Sequence, residues 1–582
     1  SVGTHAAGVI ITDYPIVKYA PLHRPTNGTE DNPIKSVSQF EMNVVDTMKL
    51  LKIDFLGLAT LTVMQKCCQM IEKRHGIHYT LSNIPTDDPE TFDYISAGHT
   101  AGIFQLEGGG MTRYVMEMKP RNLDNIIAMV ALYRPGPMQF IPDYIACLHG
   151  KKEPEYRHER LKPIFSDTFG IPVYQEQIMF AAMDLAGYTA AESDSLRKAI
   201  SKKKKKDIEH HRKKFIEGCI KNGIEEKTAV DIFCDWEQFA NYGFNKSHAA
   251  DYGVLAVQTG FLKTHYFIEY MTASLDANLS DSAKIAYYIN ECKIHGVDVL
   301  PPQINSSFWG FSVEDDPDGK SRIRFGMGAV KNVGQNAVEA IVEEREKNGL
   351  FKNLDDFAER LDLRMVGRRA LECLIKVGAM DQFGERGSLL ASLDAIINTC
   401  VANIRSKDSG QINLFDLMSI PTCHIQLTET PPVDNHEKLN WERELMGLFV
   451  SDHPLNAHLP ILKRRKALTH QQLDMLDQGT QVSIGGMVQS MRMMLTKKDS
   501  RTMCSVKLED IHGDLTDVLF YPKQWEKVQD IVKTDAVLIV EGRLDKSRMT
   551  AQVIGSSAQS LMVGEIPQAV AEFVDSFTNE LE

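Results

Sequence analysis

The pattern of apolar and polar positions changes character several times along the chain. Residues 1 to about 60 read as strands, because Ala6 to Thr12 is a β-branched apolar run and Leu50 to Phe55 alternates. From about residue 61 to 300 the apolar positions recur at helical spacing, interrupted by turn signals such as Arg134-Pro135-Gly136-Pro137. Pro301-Pro302 breaks that pattern, and a small mixed segment runs to about residue 400. A polar stretch, Ser406 to Gly410, precedes Gln411 to Leu417; with Pro421, Pro431 and Pro432 beyond it, residues 405 to 440 read as a largely extended linker. Strand-like runs then follow at Val482 to Val488, Met503 to Leu508 and Leu515 to Tyr521. A helical segment, Pro522 to Val532, and two more strands at Ala536 to Gly542 and near Met549 to Ile554 complete the pattern. Three strands, a helix and two strands is the order of an OB-fold, a small barrel that often binds single-stranded nucleic acid; another small β-barrel has the same pattern. No internal repeat is evident.

At 582 residues the chain is too long for one core, and the pattern predicts a multidomain α+β protein of roughly three to five domains. The longest apolar runs, such as Asp535 to Val540 and Ile126 to Leu132, fall far short of the ~18 residues that cross a bilayer, and no membrane association is expected. The polar start, Ser1 to His5, is not a signal peptide, and the missing initiator Met points to a fragment. Ten cysteines without a Cys-x-x-Cys pair fit reduced thiols in a cytoplasm, with no zinc site; the adjacent Cys67 and Cys68 have no second pair to complete one. A net charge of −13 argues mildly against a protein coated in nucleic acid, so the placement of its 65 Lys and Arg residues matters more than their sum.

Candidate chemistry lies in a few places. On a strand over Leu51 to Phe55, Lys52 and Asp54 share one face, with Leu51, Ile53 and Phe55 behind them. A carboxylate to hold Mg²⁺ beside a cation to neutralise phosphate suits phosphoryl transfer, although a half-exposed strand with a polar face accounts for the spacing as well. Two-metal chemistry needs further carboxylates, and no strand-like run here carries Asp-x-Asp. Between Arg197 and Lys214 there are ten Lys or Arg, including five consecutive lysines from Lys202 to Lys206. On a helix these cover the whole circumference, so the segment is either a phosphate site or a solvated charge run. The cluster Tyr242-Gly243-Phe244-Asn245-Lys246-Ser247-His248, with Tyr252 and Gln258 to Lys263 after it, is either a capped helix start with buried aromatics or a place to stack a base and grip phosphates.

Ile323 to Ile341, with Gly326, Gly328, Lys331, Asn332, Val333 and Gly334, is a Gly-rich turn or a helix-hairpin-helix that holds a DNA phosphate by backbone N–H groups. Asn332 stands where the usual motif has Gly; Asn is the next most tolerant residue of a left-handed backbone. In Gln411-Ile412-Asn413-Leu414-Phe415 an isolated Leu-Phe pair in polar sequence reads as an anchor for a partner pocket, and Gln, two spacers and Leu-Phe look like the peptide that holds the sliding clamp.

Taken in order, these segments resemble the type C bacterial DNA polymerases. The residues that carry the resemblance are Gly3-Thr4-His5-Ala6-Ala7-Gly8, Lys52 to Leu58, Ile103-Phe104-Gln105-Leu106-Glu107, Arg134 to Pro137, Tyr174-Gln175-Glu176-Gln177 and Tyr242 to His248, followed by the hairpin, the clamp peptide and the barrel. The resemblance implies replicative, DNA-templated nucleotidyl transfer with Mg²⁺. It makes Asp54 a catalytic, metal-binding carboxylate, and Lys52, Arg134, Arg197, Lys198, Lys202, Lys203, Tyr242, Asn245, Lys246 and His248 nucleotide contacts. It makes Lys331, Asn332 and Gly334 DNA contacts, and Gln411, Leu414 and Phe415 a clamp-binding peptide of the form found in Gram-positive relatives of the shorter type. The implied layout is the C-terminal part of a palm (1–60), fingers (61–300), a helix-hairpin-helix and clamp-binding region (301–404), a linker with the clamp peptide (405–478), an OB-fold (479–563) and a tail (564–582). The implied partners are primer-template DNA, dNTPs, the sliding clamp and other holoenzyme subunits, in the cytoplasm. The family's other two metal-binding aspartates are expected before residue 1, which would leave this chain inactive alone. A non-catalytic DNA-binding scaffold and a translesion paralogue are the alternatives.

Overall fold

A computed structural model describes residues 5, 7–25, 36–201, 205–239, 243–408, 425–474, 476–496, 501–511, 513–546 and 551–561. Lys202, Lys203, Tyr242, Gln411, Leu414 and Phe415 lie outside the described residues. The chain divides into two compact units, Ser1–Thr62 and Val63–Glu582.

In the first unit the β-branched run forms β1 (Gly8–Ile11), and β2 (Leu22–His23) pairs with β3 (Val37–Ser38) in a short antiparallel sheet. After the Met42–Thr47 helix, β4 (Leu51–Asp54) pairs antiparallel with β1. The register sets Gly8 opposite Asp54 and Ile10 opposite Lys52 on one face, with Val9 opposite Ile53 and Ile11 opposite Leu51 on the other. The expected alternation is present, but the apolar side of β4 is not packed. Leu51 is 58% exposed and Phe55 67% exposed.

In the second unit the helices form two cores. The first centres on the Leu123–Leu132 helix, from Asn125 to Leu132 buried on every side, as its unbroken apolar run requires. It packs against the Lys246–His265 helix, where a Cβ on Gly253 would stand 2.6 Å from Cγ1 of Ile127. That close approach is what the glycine permits. Gln258 and Lys263, farther along the same helix, are structural: Gln258 Nε2 donates to the Leu81 carbonyl at 2.7 Å. Buried Lys263 reaches Glu291 Oε1 at 2.6 Å and the His99 carbonyl at 3.0 Å. The second core gathers Leu161, Phe165, Ile178, Phe215, Phe233 and Trp236 from the segment around residue 165 and the helices Gln175–Ala186, Ala190–Ser201, Lys205–Lys221 and Glu226–Phe239.

Beyond Pro301-Pro302, which follow β5 (Val299–Leu300), the strands β6 (Ser312–Asp315) and β7 (Ser321–Arg324) complete a sheet of order β5-β7-β6. Within the expected extended linker, residues 425–434 carry no regular secondary structure, and 409–424 lie outside the described residues. The Leu393–Asp408 helix runs into its start and the Asn435–Met446 helix takes up its end, with the Leu459–Arg464 helix following beyond it. Leu439, Leu445 and Met446 are buried, so an apolar helical face set among many charges, weak in the sequence, decides that segment.

The terminal strands β8 (Gln481–Leu495), β9 (Thr502–Glu509), β10 (Leu515–Phe520), β11 (Val537–Asp545) and β12 (Gln552–Ser560) close a barrel in the order β10-β12-β11-β8-β9, with the Pro522–Val528 helix between β10 and β11. This is the predicted order of elements. β8 outruns its predicted end because one strand serves two neighbours, β11 through its first half and β9 through its second. Gly486 makes that possible: a Cβ there would meet the Glu509 carbonyl oxygen at 2.5 Å. Among the described residues no helix is long and apolar enough to cross a membrane.

Candidate nucleotide and DNA sites

Pairing of β1 with β4 assembles the first site. Lys52 Nζ donates to both carboxylate oxygens of Asp54, at 2.5 and 2.7 Å, and His5 Nε2 stands 3.8 Å from the same carboxylate. The Lys52 hydrogen bond, helped by the charge of Lys52, holds the Asp54 carboxyl below its ordinary value. Gly8 makes room for this group, since a Cβ there would lie 2.9 Å from His5 Nδ1 and 3.0 Å from Asp54 Oδ1. The strand therefore presents an ionised carboxylate and a cation on one accessible face. Among the described residues no group of three or more His, Cys, Asp or Glu is placed to hold a metal ion. Asp54 and His5, with Lys52 on both carboxylate oxygens, do not make a Mg²⁺ site unaided.

The second site lies at the start of the Lys246–His265 helix. Asn245 is its N-cap, accepting from the His248 N–H at 2.8 Å, and its own Nδ2 donates to Glu176 Oε1 at 2.9 Å. The Lys246 N–H donates to Glu176 Oε2 at 2.9 Å. The Lys246 and His248 amides are thus satisfied by protein groups, which leaves less of this helix start for a phosphate. The Arg134 guanidinium stacks on the Phe244 ring at 3.7 Å, and partial burial lowers its pKa without discharging it. His248 lies against Phe244 at 5.3 Å and Tyr252 at 4.3 Å, and Lys246 Nζ lies 3.4 Å from Asp167.

Gln175 joins this cluster to the basic helix. Its N–H donates to the Phe244 carbonyl, its Nε2 to the Gly243 carbonyl at 2.8 Å, and its Oε1 accepts from Arg197 at 3.2 Å. Arg197 and Lys198 both pair with Asp194, at 2.7 and 2.6 Å, so each reaches a phosphate only by sharing or leaving that carboxylate. The structure brings Arg134, Arg197, Asn245, Lys246 and His248 into one neighbourhood, with Lys198 at its edge. Glu176, Gln175 and Asp194, which hold these groups in place, were not among the expected site residues. The run Tyr174-Gln175-Glu176-Gln177 held the signal, because Gln177 also closes a cap onto the Tyr174 N–H.

At the hairpin, Asn332 takes the left-handed conformation expected of it, with φ 66°. Gly334 is the N-cap of the Gln335–Asn348 helix, with open space where a Cβ would project. Lys331 has a partner within the chain: its Nζ donates to the Glu444 carbonyl at 2.8 Å and its N–H to the Leu445 carbonyl at 2.9 Å, so it caps the last turn of the Asn435–Met446 helix. A second hairpin went unseen in the sequence. Gly367, φ 78°, is the N-cap of the Arg368–Lys376 helix, again with open space above it and with Arg369 exposed. The repeated apolar-Gly-helix step, Val333-Gly334 and Val366-Gly367, was the available signal.

The chain is similar to known proteins along most of its length. A family model described as the bacterial DNA polymerase III alpha subunit finger domain matches residues 60–223, and one described as the bacterial DNA polymerase III alpha NTPase domain matches residues 1–57. A helix-hairpin-helix motif matches residues 296–389 and an OB-fold nucleic acid binding domain matches residues 482–561. DNA polymerase III subunit alpha of Thermus aquaticus is 40% identical over 586 residues, covering 98% of this chain and 46% of that protein. The Bacillus subtilis protein of the same name is 37% identical (96% of this chain, 48% of that one), and the Escherichia coli K12 protein 36% identical (93% and 47%). The chain spans about half the length of these curated relatives. With such identity held along nearly the whole chain, and with finger, hairpin and barrel models matched in the order the fold displays, this chain belongs to the family of bacterial DNA polymerase III alpha subunits.

Proposed function

We propose that the chain supplies part of a DNA-templated, replicative DNA polymerase, which adds dNTPs to a primer 3′ end by nucleotidyl transfer. The observation that carries this reading is the Lys52–Asp54 couple, opposite Gly8, in a chain of this family. Asp54 contributes one carboxylate toward the Mg²⁺ the reaction calls for, and the described residues do not complete the set. Lys52 neutralises phosphate charge. Arg134, Arg197, Lys198, Lys246 and His248, with Lys202, Lys203 and Tyr242, face the nucleotide and template. The layout is the C-terminal part of a palm (1–60), fingers (61–300), a helix-hairpin-helix region (301–404), a connecting region with the clamp peptide (405–478) and an OB-fold (479–563). The Asn332–Gly334 hairpin holds the DNA backbone, and Gln411, Leu414 and Phe415 hold the sliding clamp within a cytoplasmic holoenzyme.

The test is Asp54→Asn in the whole polymerase, with primer extension and DNA binding measured side by side. Extension is expected to disappear while DNA binding stays nearly intact. Extension near the normal rate would remove Asp54 from catalysis. Replacing Leu414 and Phe415 by Ala is expected to lower processivity with the clamp and leave clamp-free extension unchanged; an equal loss in both assays would mean a structural role.

A further inference from the structure

A cavity of about 680 Å³ opens in the second unit at the seam between the two helical cores, and none of Arg134, Arg197, Asn245, Lys246 and His248 lines it. Phe140, Phe169 and the Ile141–Leu148 helix line it from the first core, and Phe165, Tyr156 and Trp236 from the second. Its size falls within the roughly 300–1,000 Å³ of small-molecule sites, which favour such seams. The floor is aromatic and the rim is acidic.

Four carboxylates stand on that rim, Asp143, Glu153, Glu155 and Asp235, against Lys152 and Arg157. Lys152 pairs with Asp143 at 3.2 Å and Arg157 with Asp235 at 2.8 Å. Among the described residues Glu153 and Glu155 have no ion pair, so the mouth carries uncompensated negative charge. A triphosphate or a nucleic-acid backbone is repelled there. A flat ring carrying an ammonium group is favoured twice, by stacking on the half-buried Tyr156 ring, which the buried Trp236 and Phe165 back, and by the two free carboxylates. The wall that carries Glu155 is held in place by backbone contact: Gly170 has φ 86°, and a Cβ on it would stand 2.2 Å from the Glu155 carbonyl oxygen. We propose that this seam cavity is a binding site for small aromatic amines, separate from the nucleotide site.

An occupant touching both cores fixes their separation. Phe244, on which Arg134 stacks, packs with the first core and the Ala190–Ser201 helix bearing Arg197 with the second, so occupancy alters the spacing of these groups. This consequence rests on the nucleotide-binding reading; the binding site does not. The experiment is a calorimetric titration of the full 582-residue chain with tryptamine, with indole-3-propionate as the same ring of opposite charge. Tryptamine is expected to bind saturably at one site and the propionate not at all. Glu153→Gln with Glu155→Gln should weaken tryptamine by about tenfold or more, and Cys147→Trp, which fills the cavity, should abolish binding. Should Cys147→Trp fail to fold by circular dichroism, the surface Gln pair decides. No saturable binding, equal binding of the propionate, or unchanged affinity in the Gln pair overturns the site. A shift of dNTP affinity by tryptamine in the parent chain supports the coupling; its absence with binding intact overturns the coupling alone.

Discussion

Glu176 is the group on which the start of the Lys246–His265 helix hangs, and its removal has a calculable local effect. Both carboxylate oxygens accept at 2.9 Å, one from Asn245 Nδ2 and one from the Lys246 N–H. A hydrogen bond to a charged acceptor contributes about 1.5–3 kcal/mol, so the pair sets an upper bound of roughly 3–6 kcal/mol. Asn245 is exposed and Glu176 half-buried, so water replaces much of what Glu176→Ala removes, leaving about 2 kcal/mol. That corresponds to about 30-fold more frequent opening of the first helical turn. Hydrogen exchange in the full chain should show the loss of protection at Lys246 to Ala250. From Ala256 to Lys263, where the helix is buried, exchange should be unchanged. Glu176→Gln keeps one acceptor oxygen and turns an amide N–H₂ toward the other donor, so it should fall between the two. Parental protection in Glu176→Ala, or equal loss along the entire helix, would refute a local anchor.

Lys52→Met should raise the Asp54 pKa toward its ordinary value, because the Lys52 hydrogen bond is the main cause of its depression; carbon-detected NMR titration of the carboxyl checks this. Gly253→Ala should destabilise the second unit by about 1–3 kcal/mol through its clash with Ile127, read as a lower urea midpoint, and an unchanged midpoint would mean the helix pair yields freely. Asn332→Gly should be tolerated, whereas Asn332→Val should cost about 1–2 kcal/mol in thermal unfolding, since φ 66° is unfavourable for a β-branched residue. Burial lowers the pKa of His99, His211 and His458 in the fold. The unfolded chain then binds more protons below its own value near 6.5. Their neutral form is fully compatible with folding above that pH, and stability falls as pH drops through the window toward the folded values, by up to about 1.4 kcal/mol per pH unit for each histidine. Melting temperatures between about pH 7.5 and 5.5 should show this decline. Replacing the three by Gln should flatten it.

Local patterns carried much of this protein. The Ala6 to Thr12 run, the alternation from Leu50 to Phe55 and the order of strands and helix in the barrel follow from side-chain period and β-branching, which act between near neighbours in sequence. The left-handed Asn332 was also legible, because backbone sterics depend on the residue itself. Lys52 and Asp54 share a face for the same reason. Tertiary structure alone decided what those groups meet. Lys331 meets the carbonyls of a distant helix end, and Glu176 acquired its role only when residues far along the chain folded onto it. The seam cavity likewise exists only because two cores meet. Contacts between residues far apart in sequence leave no periodic trace, so their pairing emerges only when packing selects which surfaces touch.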